Sequence, residues 1–76
     1  MRRDTIEAVK LVAKSTLRAA RRIEEAAGRT IGDMAPSFIQ AGWDEADRAI
    51  TKAIADLAAA KPLIARDLRE GGTDVP

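Results

Sequence analysis

Apolar residues along this chain recur at steps of three and four, and no segment alternates as a strand does. Ile6, Val9, Ala13, Thr16/Leu17, Ala20, Ile23 and Ala27 follow the heptad-like rhythm of one helix face. Lys10, Lys14, Arg18, Arg21, Arg22 and Glu25 fall on the opposite side. The pattern predicts a first helix from about Asp4 or Thr5 to Ala27, with one of those two residues as its N-cap. Gly28 stands where a left-handed residue commonly ends a helix. A second stripe, Ile39, Trp43, Ala46, Ile50, Ala53/Ile54 and Leu57, predicts another helix. It carries the only Trp, and Phe38, the only Phe, lies beside it.

The residues between the stripes, Gly28-Arg29-Thr30-Ile31-Gly32-Asp33-Met34-Ala35-Pro36, read as a hinge, because two Gly and a Pro oppose one continuous rod. Asp33, or Ser37 in a Ser37-Phe38-Ile39-Gln40 capping box, is expected to open the next helix. Gly42 is ambiguous. The stripe passes through it in phase, yet an interior Gly costs ~1 kcal/mol, and Asp44-Glu45-Ala46-Asp47 reads as a fresh N-terminus. This favours a short helix ending near Gly42 and a main helix from Asp44 to Ala60. Pro62 is expected to kink the chain or open a last helix from Leu63 to Arg69, which Gly71-Gly72 would end. The fold class is therefore all-α: an antiparallel helical hairpin or a small three- to four-helix bundle. It forms one helical domain over 1–70, short helices around 33–41 and 62–70 close its ends, and residues 71–76 make a flexible tail.

Composition makes that domain thin. Sixteen of the 76 residues are Ala and none is Cys or His. A chain this short is marginal alone, and with neither a disulfide nor a His/Cys metal staple the remaining device is association. Net charge is +1, but residues 1–30 carry eight Lys/Arg against four Asp/Glu, a surplus of four, while residues 31–76 carry five against eight, a deficit of three. Opposite halves attract, within one chain or between chains. No apolar run approaches the ~18 residues of a membrane span, and no apolar segment follows the charged N-terminus as in a secretory signal. A cytoplasmic location is expected, and the lack of Cys agrees with a reducing compartment. The Ala- and Arg-rich usage is that of chains from GC-rich bacteria and their phages.

The usual catalytic parts are missing. There is no His, Cys or Tyr, and Ser15 and Ser37 have no base beside them. Glu24/Glu25 and Asp44/Glu45/Asp47 read as solvated helix faces, and no Gly-rich phosphate loop occurs. We expect no enzyme activity, no cofactor and no metal. Lys10, Lys14, Arg18, Arg21, Arg22 and Arg29 form a basic stripe that suits phosphate or an acidic partner; its bland counterpart is a solvated face with Glu7–Lys10 and Arg21–Glu25 pairs. Phe38 and Trp43, with Ile31 and Met34, are the candidate partner contacts if they lie exposed; otherwise they are core.

Thr30-Ile31-Gly32-Asp33-Met34-Ala35, followed by Ala41-Gly42, Ala46 and Ile50, resembles the helix-turn-helix of small bacterial repressors, which implies a turn and a recognition helix. Here that helix would open Trp43-Asp44-Glu45-Ala46-Asp47, with acids where phosphate is met. Phe38 to Ala46 also resembles the turn of ubiquitin-associated-type three-helix domains, over about ten residues. The residues taken together point to a small helical binding protein: an adaptor, an antitoxin-like protein or a phage-encoded inhibitor, homodimeric or part of a heteromeric complex. A nucleic-acid-associated regulator is the alternative.

Overall fold

A computed structural model of the chain describes residues 1–71. It contains two helices, α1 (Arg3–Ile31) and α2 (Pro36–Arg69), folded back on each other as an antiparallel hairpin about 54 Å long and 18 by 15 Å across. The hairpin agrees with the sequence pattern. The extra short helices do not form, because α2 runs unbroken through both expected interruptions.

The first is Gly42, which is buried where α2 crosses α1. A methyl placed there would lie 3.1 Å from Arg29 Cδ and 3.4 Å from the Ala26 Cα. Gly is here a seat for the facing helix, and packing outweighs its propensity cost. The acids after it start no helix: Asp44 accepts from Gln40 at 2.9 Å, and Glu45 reaches across to Arg22 at 3.3 Å. The second is Pro62, an exposed residue whose missing N–H concerns the Ala58 carbonyl, itself on an exposed residue. On that side water can take the orphaned carbonyl. Asp67, bonded to the Arg2 N–H and to the Thr5 hydroxyl, ties the segment beyond Pro62 to the start of α1.

α1 is longer than the pattern predicts. Arg2 is its N-cap with no side-chain cap, and Gly28 lies inside it. The chain leaves α1 through Gly32, whose N–H bonds to the Gly28 carbonyl, while Met34 N–H bonds back to Arg29. Asp33, with φ 53, takes the left-handed position and caps nothing. Ala35 is the N-cap of α2, and Pro36 fills the first helical position, where its lack of an N–H costs nothing. The Ser37 capping box is not made. At the far end Gly71 is left-handed, with φ 70; the rest of the expected tail, 72–76, lies outside the described residues.

The seam between the helices is made of small residues at steps of three and four. Thr5, Ser15, Ala19 and Ala26 of α1 are buried against Gly42, Ala46, Ala49, Ala53, Ala60 and Asp67 of α2. Ala26 is fully inaccessible, and Ala46 and Ala60 are 1% exposed. Where the facing residues are Ala and Gly, with nothing beyond Cβ, the two backbones come together closely and many weak dispersion contacts accumulate. This corrects the expected seam. In α1 the buried residues Thr5, Ala19 and Ala26, with half-buried Val12 between them, lie one position before Ile6, Ala13, Ala20 and Ala27, so Ile6, Val9 and Ile23 flank the seam and stay exposed.

The open end of the hairpin is locked by polar groups. Asp67, 1% exposed, accepts from the Arg2 backbone N–H at 2.9 Å and from Arg66 Nε at 3.0 Å. Arg66 also donates to Asp4 Oδ1 and to the Thr5 hydroxyl oxygen, each at 3.1 Å, and Arg2 pairs with Glu70. Asp67 thus supplies from α2 the partner that the first turn of α1 lacks locally. The Arg2 N–H, with help from the Thr5 hydroxyl and Arg66, holds the Asp67 carboxyl down at about 2 in spite of its burial. Arg66 pulls Asp4 below its ordinary range in the same way.

Candidate protein-binding face

A two-helix hairpin has only one seam, so each helix keeps a second side with no helix to cover it. On α1 a seven-residue column of apolar side chains, Ile6, Ala13, Ala20 and Ala27, runs beside the seam, with Val9 and Ile23 next to it and polar Thr16 between them. On α2, Trp43, Ile50, Leu57 and Ile64 recur every seven residues, with Ile54 and Leu68 outside them. The two columns lie on the same side of the hairpin. Trp43 Nε1 donates to Thr30 Oγ1 at 3.0 Å at one end, and Val9 and Val12 share a hollow with Ile54, Leu57, Ile64 and Leu68 at the other. The result is one broad apolar face along the rod. Ile54 is 60% exposed, Leu68 54% and Trp43 40%. Scattered exposed apolar residues are ordinary, but a continuous face of this extent marks an interaction surface.

The hollow is its most concave part, an open trough of about 620 Å³ near the open end of the hairpin. Among the described residues, Lys61 is the one charged residue lining it, and the other lining residues are apolar, so its shape suits an apolar side chain.

The reverse side of the hairpin is charged. Arg22 bridges Glu25 and Glu45 at 3.3 Å each, and Lys52 pairs with Asp56 at 2.7 Å. Lys52 and the Ser15 hydroxyl lower the Asp56 carboxyl. The basic stripe lies here in part. Lys10 stands 3.8 Å from Glu7, and Arg29 stacks 3.7 Å above the Phe38 ring while donating to the Phe38 carbonyl at 3.0 Å. Among the described residues, Lys14, Arg18 and Arg21 make no ion pair, so the expected Arg21–Glu25 pair is replaced by Arg22–Glu25.

The four candidate contact residues do not form one site. Trp43 belongs to the apolar face. Phe38 is on the charged side, in the seven-residue column of Glu45, Lys52 and Arg66, under Arg29. Ile31, 85% exposed, and Met34 project around the turn. With α2 running straight through Gly42, Phe38 leaves the stripe, and neither aromatic is core. The residues that make the face, above all Ile54, Leu57, Ile64 and Leu68, were assigned by the pattern to the seam or the last helix. The legible signal was the second column of seven-residue spacing beside the Ala column.

No turn exists within 36–69, so residues 30–50 are not a helix-turn-helix, and the likeness to a three-helix domain fails on the same ground. Among the described residues no group of His, Cys, Asp or Glu could hold a metal ion, and no helix is long and apolar enough to cross a membrane. Comparison with protein-family models, with curated proteins and with solved structures finds no match.

Proposed function

We propose that this protein is a non-enzymatic protein–protein interaction module that acts through its apolar face, by self-association or by docking a helical partner. One observation carries the reading: Ile6, Val9 and Ile23 of α1 and Trp43, Ile54, Leu57 and Leu68 of α2 stand together on one side of the rod and outside its Ala seam, whereas on the charged side Leu11 and Leu17 stand among Lys14, Arg18, Lys52 and Asp56. A chain that buries only small side chains internally gains most of its hydrophobic stabilisation when that face is covered, since each large side chain removed from water contributes about 1.5–3 kcal/mol. A second hairpin on the face would complete a four-helix bundle. Adaptor, antitoxin and inhibitor roles all use such surfaces, and the cytoplasm is the setting proposed for them.

A second reading rests on Lys14, Arg18 and Arg21, cations on the reverse side that make no ion pair among the described residues. They would let the protein sit on phosphates as a nucleic-acid-associated regulator. The two readings separate in a paired experiment. Leu57→Glu is expected to abolish association seen by sedimentation, and Lys14/Arg18/Arg21→Ala to leave it intact. A duplex-DNA shift at ~50 mM salt that the triple variant loses, with association indifferent to Leu57→Glu, would overturn the first reading in favour of the second.

A further inference from the structure

We infer that the occupant of the apolar face is a second copy of this chain, laid across it with its turn at the opposite end, so that Trp43 of each copy fills the hollow of the other. This rests on the face being a protein-binding surface and adds its occupant and orientation.

Area supports a second copy. The exposed parts of Ile6, Val9, Ile23, Ile54, Leu57 and Leu68, with Trp43, correspond to roughly 600 Å² per chain, about three quarters of the ~800 Å² per partner of a stable interface before the Ala13, Ala20, Ile50 and Ile64 surfaces between them are added. A two-fold dimer uses the same patch on both chains, and this face runs along both helices.

Charge and shape choose between the two possible two-fold axes. Asp4 faces Arg66 and Arg22 faces Glu45, so the middle of the rod lies near Leu17 in α1 and near Lys52 in α2. With the axis across the rod, each helix lies antiparallel on its own copy. Lys10 then comes level with Glu24 of the second copy, and Lys61 with Asp44 of the second copy, so opposite charges meet along the edges. Trp43 comes level with residue 62 of the second copy, in the middle of the hollow lined by Leu57, Ile64 and Leu68. With the axis along the rod, α1 lies on α2 of the second copy. Lys10 then meets Lys61, Glu24 meets Asp47, and the two hollows face each other unfilled. Like charges and unfilled space both disfavour that arrangement.

The test uses the full chain with one spin label at the turn, on Met34→Cys, a change possible because the sequence has no other Cys. Pulsed electron-spin distances are read at a concentration where sedimentation reports a dimer. A label separation approaching the 54 Å length of the rod is expected. A separation below about half that length would overturn the proposed orientation and leave the interaction reading standing. A monomer at ~100 μM with no dipolar signal would overturn the second copy as occupant, and the Leu57→Glu experiment then decides the broader reading separately. Trp43→Ala, with Ile6→Ala as a control on the same face that does not line the hollow and comes level with Gly28 of the second copy, gives a second readout. Two indoles leave each dimer, so the dissociation constant is expected to rise about a hundredfold for Trp43→Ala, well beyond the rise for Ile6→Ala. Equal effects would overturn the seating of Trp43 in the hollow.

Discussion

Gly42→Ala and Gly28→Ala set helix propensity against helix approach, and the geometry assigns each a different outcome. Both residues are inside helices, so replacing either by Ala offers up to about 1 kcal/mol of stabilisation from the unfolded chain's lost freedom and from better propensity. At Gly28 nothing lies within 4 Å of the new methyl, so that gain should appear with little opposition. At Gly42 the methyl meets Arg29 Cδ and Nη1 at 3.1 Å and the Ala26 Cα at 3.4 Å. The Ala26 contact is an ordinary one. Arg29 must shift by a few tenths of an ångström, and that strains its stacking on Phe38 and its bond to the Phe38 carbonyl, together about 1 kcal/mol at an exposed site. Gly42→Ala should therefore come out near neutral and at least about 0.5 kcal/mol less favourable than Gly28→Ala. Urea unfolding followed by circular dichroism, at equal protein concentration for all variants, measures the difference. The single variant Arg29→Ala, combined with Gly42→Ala, should restore the propensity gain. If Gly42→Ala stabilises as much as Gly28→Ala with Arg29 present, the close approach at Gly42 is refuted.

Two further outcomes follow from the seam and its lock. Ala46→Leu puts a large side chain where the helices meet with 1% exposure and should destabilise the hairpin by about 1–3 kcal/mol in the same urea assay, whereas Ala55→Leu on the exposed side should change it by less than about 0.5 kcal/mol. The lowered Asp67 carboxyl contributes stability that is present above its unfolded value near 3.8 and lost as pH falls toward about 2, and the lowered carboxyls of Asp4 and Asp56 act in the same direction; Asp67→Asn should lower stability at pH 7 and flatten its decline between about 3.8 and about 2, and an unchanged acid profile would remove Asp67 from the lock.

The helical class, the hairpin and the hinge were legible because periodicity and Gly/Pro punctuation are local properties. The phase of the seam was not. A period of seven appears twice in α1, once through Ala19 and Ala26 and once through Ile6, Ala13, Ala20 and Ala27. Hydrophobicity favours the second column, and side-chain volume does not separate the two, since each is half or more Ala; the seam takes the first, with Ser15 beside it. The larger residues are then left for a different contact, which no single-chain reading of the stripe distinguishes. Gly42 and Pro62 misled for a related reason: each is a local breaker whose cost depends on its surroundings. Gly42 faces another backbone, and Pro62 faces water. Asp67 escaped notice because its role is to complete the first turn of α1, 65 residues away at Arg2, and only tertiary structure brings them together. Trp43 shares its seven-residue column with Ile50, Leu57 and Ile64, and that column flanks the seam where the pattern alone reads it as the seam itself.

The most direct test of the apolar face is the concentration dependence of thermal unfolding, with helix content as the signal, over a hundredfold range of protein. A chain stabilised by covering that face gains by mass action, so its midpoint should rise with concentration by several degrees, and Ile54→Glu should lower the midpoint and abolish the rise. A cooperative transition at one fixed midpoint, unmoved by Ile54→Glu, would mean that the Ala seam alone holds the fold and that the face is merely exposed.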